Sequence, residues 1–198
     1  MKSTMDAAIS ELSAGRAVVF PTDTVYGLGI SIKAADGPGV IYDIKERSLR
    51  KPIAWLVSGK NDLQKYGKVV PESVIALAQH FWPGPLTIIV RASDEVPVAF
   101  RSAQDTIGLR MPDDETALQL VRRAGCPLAT SSANIAGDRS PKTADELSED
   151  LLAKVQVVLR DNEPRSGVSS TVVDCSTGHP EVLREGAIKL ADIQALMR

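Results

Sequence analysis

The sequence predicts an α/β fold, a twisted mixed sheet flanked by helices in one domain. Two observations carry this. Short runs rich in Val, Ile and Leu alternate along the chain with stretches whose apolar residues recur at helical spacing. Gly, Pro and Asp/Asn punctuate nearly every junction between them. A chain of 198 residues with 43% hydrophobic content is long enough to bury a sizeable core and ordinary in composition.

Helices are expected near 4–14, 37–47, 60–66, 71–81, 114–124, 143–153 and 188–197, and strands near 17–20, 27–32, 53–57, 86–91, 106–111, 127–131, 155–159, 170–174 and 181–184. The first stretch, "MKSTMDAAISELSAG", is amphipathic and lacks the apolar core of a signal peptide. In "VIYDIKERS", Val40, Ile41 and Ile44 share one face, and the helix should stop near Ser48, ahead of Pro52. Pro83 stops the helix that ends at Phe81, and "WPGP" turns the chain into "LTIIV". Asp113 or Asp114 can cap a helix that Gly125 ends. Thr143 with Glu146 matches a capping box ahead of "LSEDLLAKV".

Composition narrows the function classes. Lys and Arg number 23 against 25 Asp and Glu, a formal charge of −2, which argues against a generally basic nucleic-acid binder. Two Trp, three Tyr and three Phe leave little material for base stacking. No apolar run approaches a membrane span, and a cytoplasmic protein is expected. Cys126 and Cys175 lack CxxC spacing and read as reduced, structural thiols. With only two histidines, His80 and His179, neither a protein-built zinc site nor a hydrolytic triad is expected. Walker, dinucleotide and GxSxG signatures are absent.

Chemistry concentrates in a few stretches. "FPTDTVYGLG" runs a buried strand into Thr22, Thr24 and Tyr26, which share one face if the backbone stays extended, followed by Gly27 and Gly29. Two readings stand: a strand-end turn whose hydroxyls bond nearby backbone, or the floor of a polar pocket. Lys45, Arg47, Arg50 and Lys51 crowd a helix end, as a solvated complement to its dipole or as a phosphate site. Ser132 and Asn134 end a buried strand two residues apart, and Ser169, Ser170 and Thr171 open another. Arg110 and Arg184 each close a strand ahead of a Pro or Gly, where a surface arginine is the plainer reading.

In this order, these stretches resemble the YrdC-like family, the L-threonylcarbamoyladenylate synthases. The resemblance rests on "FPTDTVYGLG", on Lys45-Glu46-Arg47 as KxR, on "WPGPLT", "IGLRMP", Ser132-Ala133-Asn134 as SxN, "STVVD" and "VLREGAI", spanning Phe20 to Ile188. It implies a YrdC-like fold over residues 1–198, in a short form, with the site on a concave electropositive face. It implies an enzyme that condenses L-threonine, bicarbonate (or CO2) and ATP to threonylcarbamoyl-AMP, releasing pyrophosphate. A separate transferase complex would then carry the group to tRNA. Implied roles are Lys45 and Arg47 in catalysis; Thr24, Arg110, Ser132 and Ser170 around L-threonine; and Arg47, Lys51, Thr106, Asn134, Lys142 and Arg184 on ATP. Mg2+ would arrive on the ATP phosphates rather than in a carboxylate cage. Departures from the family pattern are Lys51 for a frequent Asn, Leu56 for a His, Ser169 for a Glu and Lys142 for a Thr or Arg. The rival expectation is an RNA-binding module, for tRNA or double-stranded RNA, without catalysis of its own.

On the enzyme reading, a wall of Thr24, Tyr26 and apolar neighbours senses the substrate methyl, with the glycines leaving room beside it. Lys45 as a cation aimed at the transition state predicts that its truncation leaves folding intact.

Overall fold

The computed structural model describes residues 4–46, 52–161 and 163–196. In chain order they form α1 (Thr4–Ser13), β1 (Val18–Phe20), β2 (Gly27–Ser31), α2 (Gly39–Lys45), β3 (Ala54–Leu56), α3 (Asp62–Tyr66), α4 (Glu72–Phe81), β4 (Leu86–Arg91), β5 (Thr106–Arg110), α5 (Glu115–Ala124), β6 (Leu128–Ser132), α6 (Glu149–Leu152), β7 (Val157–Val158), β8 (Thr171–Asp174), β9 (Glu181–Arg184) and α7 (Leu190–Leu196). Single 3-10 turns lie at Val98–Phe100 and Ala144–Glu146.

One mixed sheet runs β7-β1-β2-β6-β3-β5-β4-β8-β9. The parallel pairs are β1 with β7, β3 with β5, and β4 with β8; the other neighbours are antiparallel. Alternation assigns the faces. Leu28, Ile30, Trp55, Leu86, Ile88, Val90, Ile107, Leu109, Ala129 and Val173 all enter the larger apolar cluster, with Leu77 and Ala78 of α4 and Ile193 of α7. On the opposite face a smaller cluster joins Val18, Phe20, Leu56 and Leu128 to Ala8 and Leu12 of α1 and Ala117, Leu120 and Val121 of α5. Over the β5-β4-β8 half that second face carries a cleft of mixed polar and apolar lining in place of an apolar cluster.

Most elements match the sequence expectation within two residues, and the caps explain several ends. Asp114 accepts a hydrogen bond from Ala117 N at 2.8 Å, and α5 ends on Gly125 in the left-handed region. The capping box at Thr143 is a correction. Thr143 makes no side-chain cap, and the Glu146 carboxylate instead accepts from Lys142 N at 2.6 Å. The expected helix over 143–153 therefore breaks into a 3-10 turn and α6, whose start is capped by Ser148 Oγ accepting from Leu151 N. α2 ends at Lys45, where Glu46 takes a left-handed φ of 52°, two residues earlier than expected. Both cysteines are free and buried, and desolvation pushes the Cys175 thiol up to about 12.

Candidate active site

The polar half-face of the sheet forms a cleft of about 630 Å³. Its floor follows strand alternation: Thr87, Ile89 and Arg91 from β4; Thr106, Gly108 and Arg110 from β5; Ala54 and Leu56 from β3; Val172 and Asp174 from β8. The residues between them are the core residues of the other face. Period-2 patterning thus writes one apolar core and one floor of mixed polar and apolar side chains into the same strands.

Polar groups converge where β5 and β6 end and β4 and β8 begin. Arg110 is buried, with 7% exposure. Its Nε donates to Gly84 O at 3.1 Å, its Nη1 to Thr24 Oγ1 at 3.0 Å, and its Nη2 to Asp23 Oδ1 at 2.5 Å. Asp23 also accepts from Asp113 N, which ties the β1–β2 turn to the end of β5. Burial lowers the Arg110 guanidinium from its ordinary value, and the Asp23 carboxylate opposes this. An arginine remains charged under such a balance. Its three bonds engage three of the five N–H groups of a guanidinium, which suits the remaining edge to a carboxylate.

Across the cleft, Thr87 Oγ1 and Ser170 Oγ share a hydrogen bond of 2.9 Å. Arg184 Nε and Nη2 donate to Ser170 O at 3.1 and 2.9 Å, and Nη2 also reaches Ser170 Oγ at 3.1 Å. Burial lowers Arg184 as well. Thr106 sits four residues before Arg110 on the same face, about 13 Å away along an extended strand, with its Oγ1 2.7 Å from Ser102 Oγ.

Six of the expected site residues therefore meet in the cleft: Thr24, Thr106, Arg110, Ser132, Ser170 and Arg184. Arg47 and Lys51 lie outside the described residues. Lys45, Asn134 and Lys142 are placed elsewhere. Lys45 is 2% exposed, behind the turn that follows β6. Its Nζ donates to Ser132 O, to Asn134 O at 2.6 Å and to Asn134 Oδ1 at 3.3 Å. Asn134 is bound locally, accepting from Ser132 Oγ at 2.5 Å and donating to Ile135 O and Asp138 O. Lys142 is exposed, and its aliphatic chain lies where a Cβ on Gly167 would project. Gly167 has a φ of 71°, a second reason for glycine there.

Two expectations about "PTDTVYGLG" are corrected. The chain bends through residues 21–26 instead of staying extended. Thr22 Oγ1 closes that bend by donating to Val25 O at 2.6 Å. Thr22 and Thr24 still reach the cleft, but Tyr26 turns into the core. The space beside Gly29 belongs to the Phe20 ring, which a Cβ there would meet at 2.8 Å. Both readings of the hydroxyls hold at once: Thr22 serves the turn and Thr24 serves Arg110. Sequence reasoning missed Asp23 and Thr87. Thr87 carried a usable signal, a polar residue at an alternate position of an apolar strand.

A profile of the Sua5/YciO/YrdC family, described as "Telomere recombination", matches residues 10–186. The chain belongs to this family. Within the family it is similar to the threonylcarbamoyl-AMP synthase of Pyrococcus abyssi, with 37% identity over 92% of this chain and 54% of that protein. The threonylcarbamoyl-AMP synthase of Bacillus subtilis is 34% identical over 98% of this chain and 58% of its own length. The chain thus spans little more than half the length of these curated relatives. Among solved structures, the Sua5 protein of P. abyssi complexed with L-threonine superposes with a TM-score of 0.91 at 36% identity, covering 98% of this chain and 57% of that one.

Proposed function

We propose that this chain is a threonylcarbamoyl-AMP synthase, with residues 1–198 acting as one catalytic domain. The observation that carries the reading is the buried Arg110, its fork steadied by Asp23, Thr24 and Gly84 O, at the head of a polar cleft in a family whose relatives bear that name.

L-threonine lies with its α-carboxylate on Arg110 and its remaining polar groups among Thr24, Ser132 and Ser170. Mg·ATP enters as substrate. The cation is taken to ride on the phosphates; among the described residues no group of three or more His, Cys, Asp or Glu is placed to hold a metal ion. The nucleotide takes Arg184 and Thr106 along the trough, and Arg47, Lys51, Asn134 and Lys142 are its further contacts on this reading. The amine of threonine forms an N–C bond to the carbon supplied by bicarbonate, with loss of water. An oxygen of the resulting carbamate forms a bond to the α-phosphorus as the bond to pyrophosphate breaks. Charge gathers on the phosphates in that step. Two like charges about 4 Å apart repel by roughly 4 kcal/mol at an effective dielectric near 20, so preplaced cations carry much of the catalysis. Arg91, Arg110 and Arg184 line the cleft against Asp174, which favours an electropositive face. Arg47 supplies the catalytic cation of KxR, while Lys45 acts through the Ser132–Asn134 turn that it holds.

The product, a reactive mixed anhydride, calls for a transferase that moves the threonylcarbamoyl group to tRNA in the cytoplasm. Among the described residues no helix is long and apolar enough to cross a membrane. The deciding experiment is pyrophosphate release with L-threonine, bicarbonate or ATP omitted in turn. Release is expected to need all three. Equal release without threonine, or salt-sensitive RNA binding with no turnover, would point away from a synthase.

A further inference from the structure

Outside the cleft, one half-buried charge joins several of the segments that wall it. Arg165 lies between β7 and β8, with its side chain 10% exposed. Its Nη1 pairs with Asp114 Oδ2 at 3.1 Å and its Nη2 with Asp161 Oδ2. The guanidinium stands 5.9 Å from the centroid of the Tyr26 ring, and Tyr26 Oη donates to Asp161 Oδ1 at 3.2 Å. The Arg165 N–H donates to Lys142 O at 3.0 Å, and two residues on, Gly167 N–H donates to Thr24 O at 2.9 Å.

None of Arg165, Asp114, Asp161 and Tyr26 lines the cleft. Three of them nevertheless sit a short step from a residue that does. Tyr26 follows Thr24 by two positions, Asp114 follows Arg110 by four, and Arg165 precedes Ser170 by five. We infer that Arg165 is a positioning residue: by clamping Asp114, Asp161 and the Tyr26 ring together, it fixes Thr24, Arg110 and the loop leading to Ser170 relative to one another. The inference rests on the proposed function, because it assigns these three groups to the amino-acid end of the cleft.

Only a guanidinium can do this work. Its fork meets two carboxylates, Asp114 through Nη1 and Asp161 through Nη2, beside the Tyr26 ring, an arrangement that an ammonium on a flexible stem cannot reproduce. Its loss would leave Asp114, whose side chain is 7% exposed, without its ion-pair partner and lower stability whatever its role. The informative signal is asymmetry. The clamp's side-chain contacts run toward the Thr24 and Ser170 end of the cleft, and its one bond to a residue assigned to the nucleotide, Arg165 N–H to Lys142 O, is main chain and survives a side-chain substitution, so binding of the amino acid should suffer more than binding of the nucleotide.

The test is steady-state pyrophosphate release with L-threonine and ATP varied separately, beside a thermal melt. The variants are Arg165→Lys, Asp161→Asn and, as a control on the same segment, Arg160→Ala, whose carboxylate partner Asp145 is exposed. In Arg165→Lys and Asp161→Asn the KM for L-threonine should rise about tenfold, less than the roughly 10²-fold that a 1 Å misplacement can cost, with the KM for ATP within twofold. Arg160→Ala should match the parent protein. A lower melting temperature with both KM values unchanged, or an equal rise in both, would overturn the positioning role. Asp161→Asn keeps the Asp114 pair and gives the same readout if Arg165→Lys does not fold. A parent protein without threonine-dependent release overturns the proposed function before any variant is made.

Discussion

Arg110 and Lys45 are the two cations classed among the buried residues of the described chain, and they serve different purposes. Arg110 lines the cleft and is held mainly by side chains, leaving part of its fork unengaged by those partners. Lys45 stands behind a turn, facing two main-chain carbonyls and an amide oxygen. Removing a cation from water costs several kcal/mol, and its partners must repay this. At Arg110 they repay it and leave donors over for a ligand. At Lys45 the ammonium is spent on the backbone. Burial alone therefore does not tell whether a cation can meet a ligand; the identity of its partners does.

The largest effect that would sharpen this contrast is expected at Arg110→Lys. The charge stays and the fork goes. Threonine-dependent kcat/KM should fall about 10²- to 10³-fold, the scale of losing a preorganised charged donor. Steady-state kinetics with threonine varied reads it. A fall below about threefold would make Arg110 a structural partner of Asp23 and erase the difference from Lys45.

Next comes Lys45→Met. A cation aimed at the transition state would leave folding intact, as the sequence suggested. The observed partners predict the opposite. Buried oxygens left without a donor cost about 1–3 kcal/mol each, so a loss of ~2–4 kcal/mol is expected, or about 5–15 °C in Tm for a chain of this size. Activity should fall with it, because Ser132 moves with the turn. A thermal melt within a degree or two of the parent, with turnover abolished, would return Lys45 to the reaction itself.

A smaller effect concerns the substrate methyl. With Tyr26 in the core, the wall that can sense it consists of Thr22, Thr24, Leu56 and Thr87. One methyl group is worth roughly 1–3 kcal/mol, a preference for threonine over serine of about 10- to 200-fold. Competition of the two amino acids in one pyrophosphate-release assay measures the ratio. A ratio near one would mean that the methyl projects into open cleft.

What the sequence made legible follows from where each signal comes from. Strand and helix positions are carried by local periodicity, and so the sheet elements emerged nearly intact. Arg110 and Arg184 stand out as arginines closing strands, but a surface role is the plainer reading of each and their place in a site comes only from the family resemblance; the structure lines the cleft with both and with Ser170. Tyr26 misled because a face can be read only while the backbone stays extended, and the Thr22 hydroxyl bends it. The capping box failed for a similar reason: Glu146 found a better donor in Lys142 N than in the N-cap. Lys45 could not be placed from sequence at all. Two of its partners are main-chain carbonyls some 90 residues away, and a main-chain carbonyl has no side-chain signature.

The finest test lies at Ser170→Ala, and it asks which way Arg184 is held. Arg184 resembles Lys45 in being anchored by a main-chain carbonyl, Ser170 O, yet it resembles Arg110 in lining the cleft. Alanine removes Ser170 Oγ, which bridges Thr87 Oγ1 and Arg184 Nη2, but leaves the carbonyl in place. Two of the three Arg184 bonds therefore survive. A neutral hydrogen bond is worth about 1 kcal/mol net, so kcat/KM for threonine should fall about fivefold. The KM for ATP should stay within about twofold, because the guanidinium keeps its backbone anchor. Thr87→Val removes the other hydroxyl of the pair. If the two groups act through one hydrogen bond, the double variant should cost little more than either single variant. Additive losses would show that each hydroxyl meets the substrate separately. A large rise in the KM for ATP in Ser170→Ala would show that the side chain, not the backbone, orients Arg184, placing it with Arg110 rather than between the two modes.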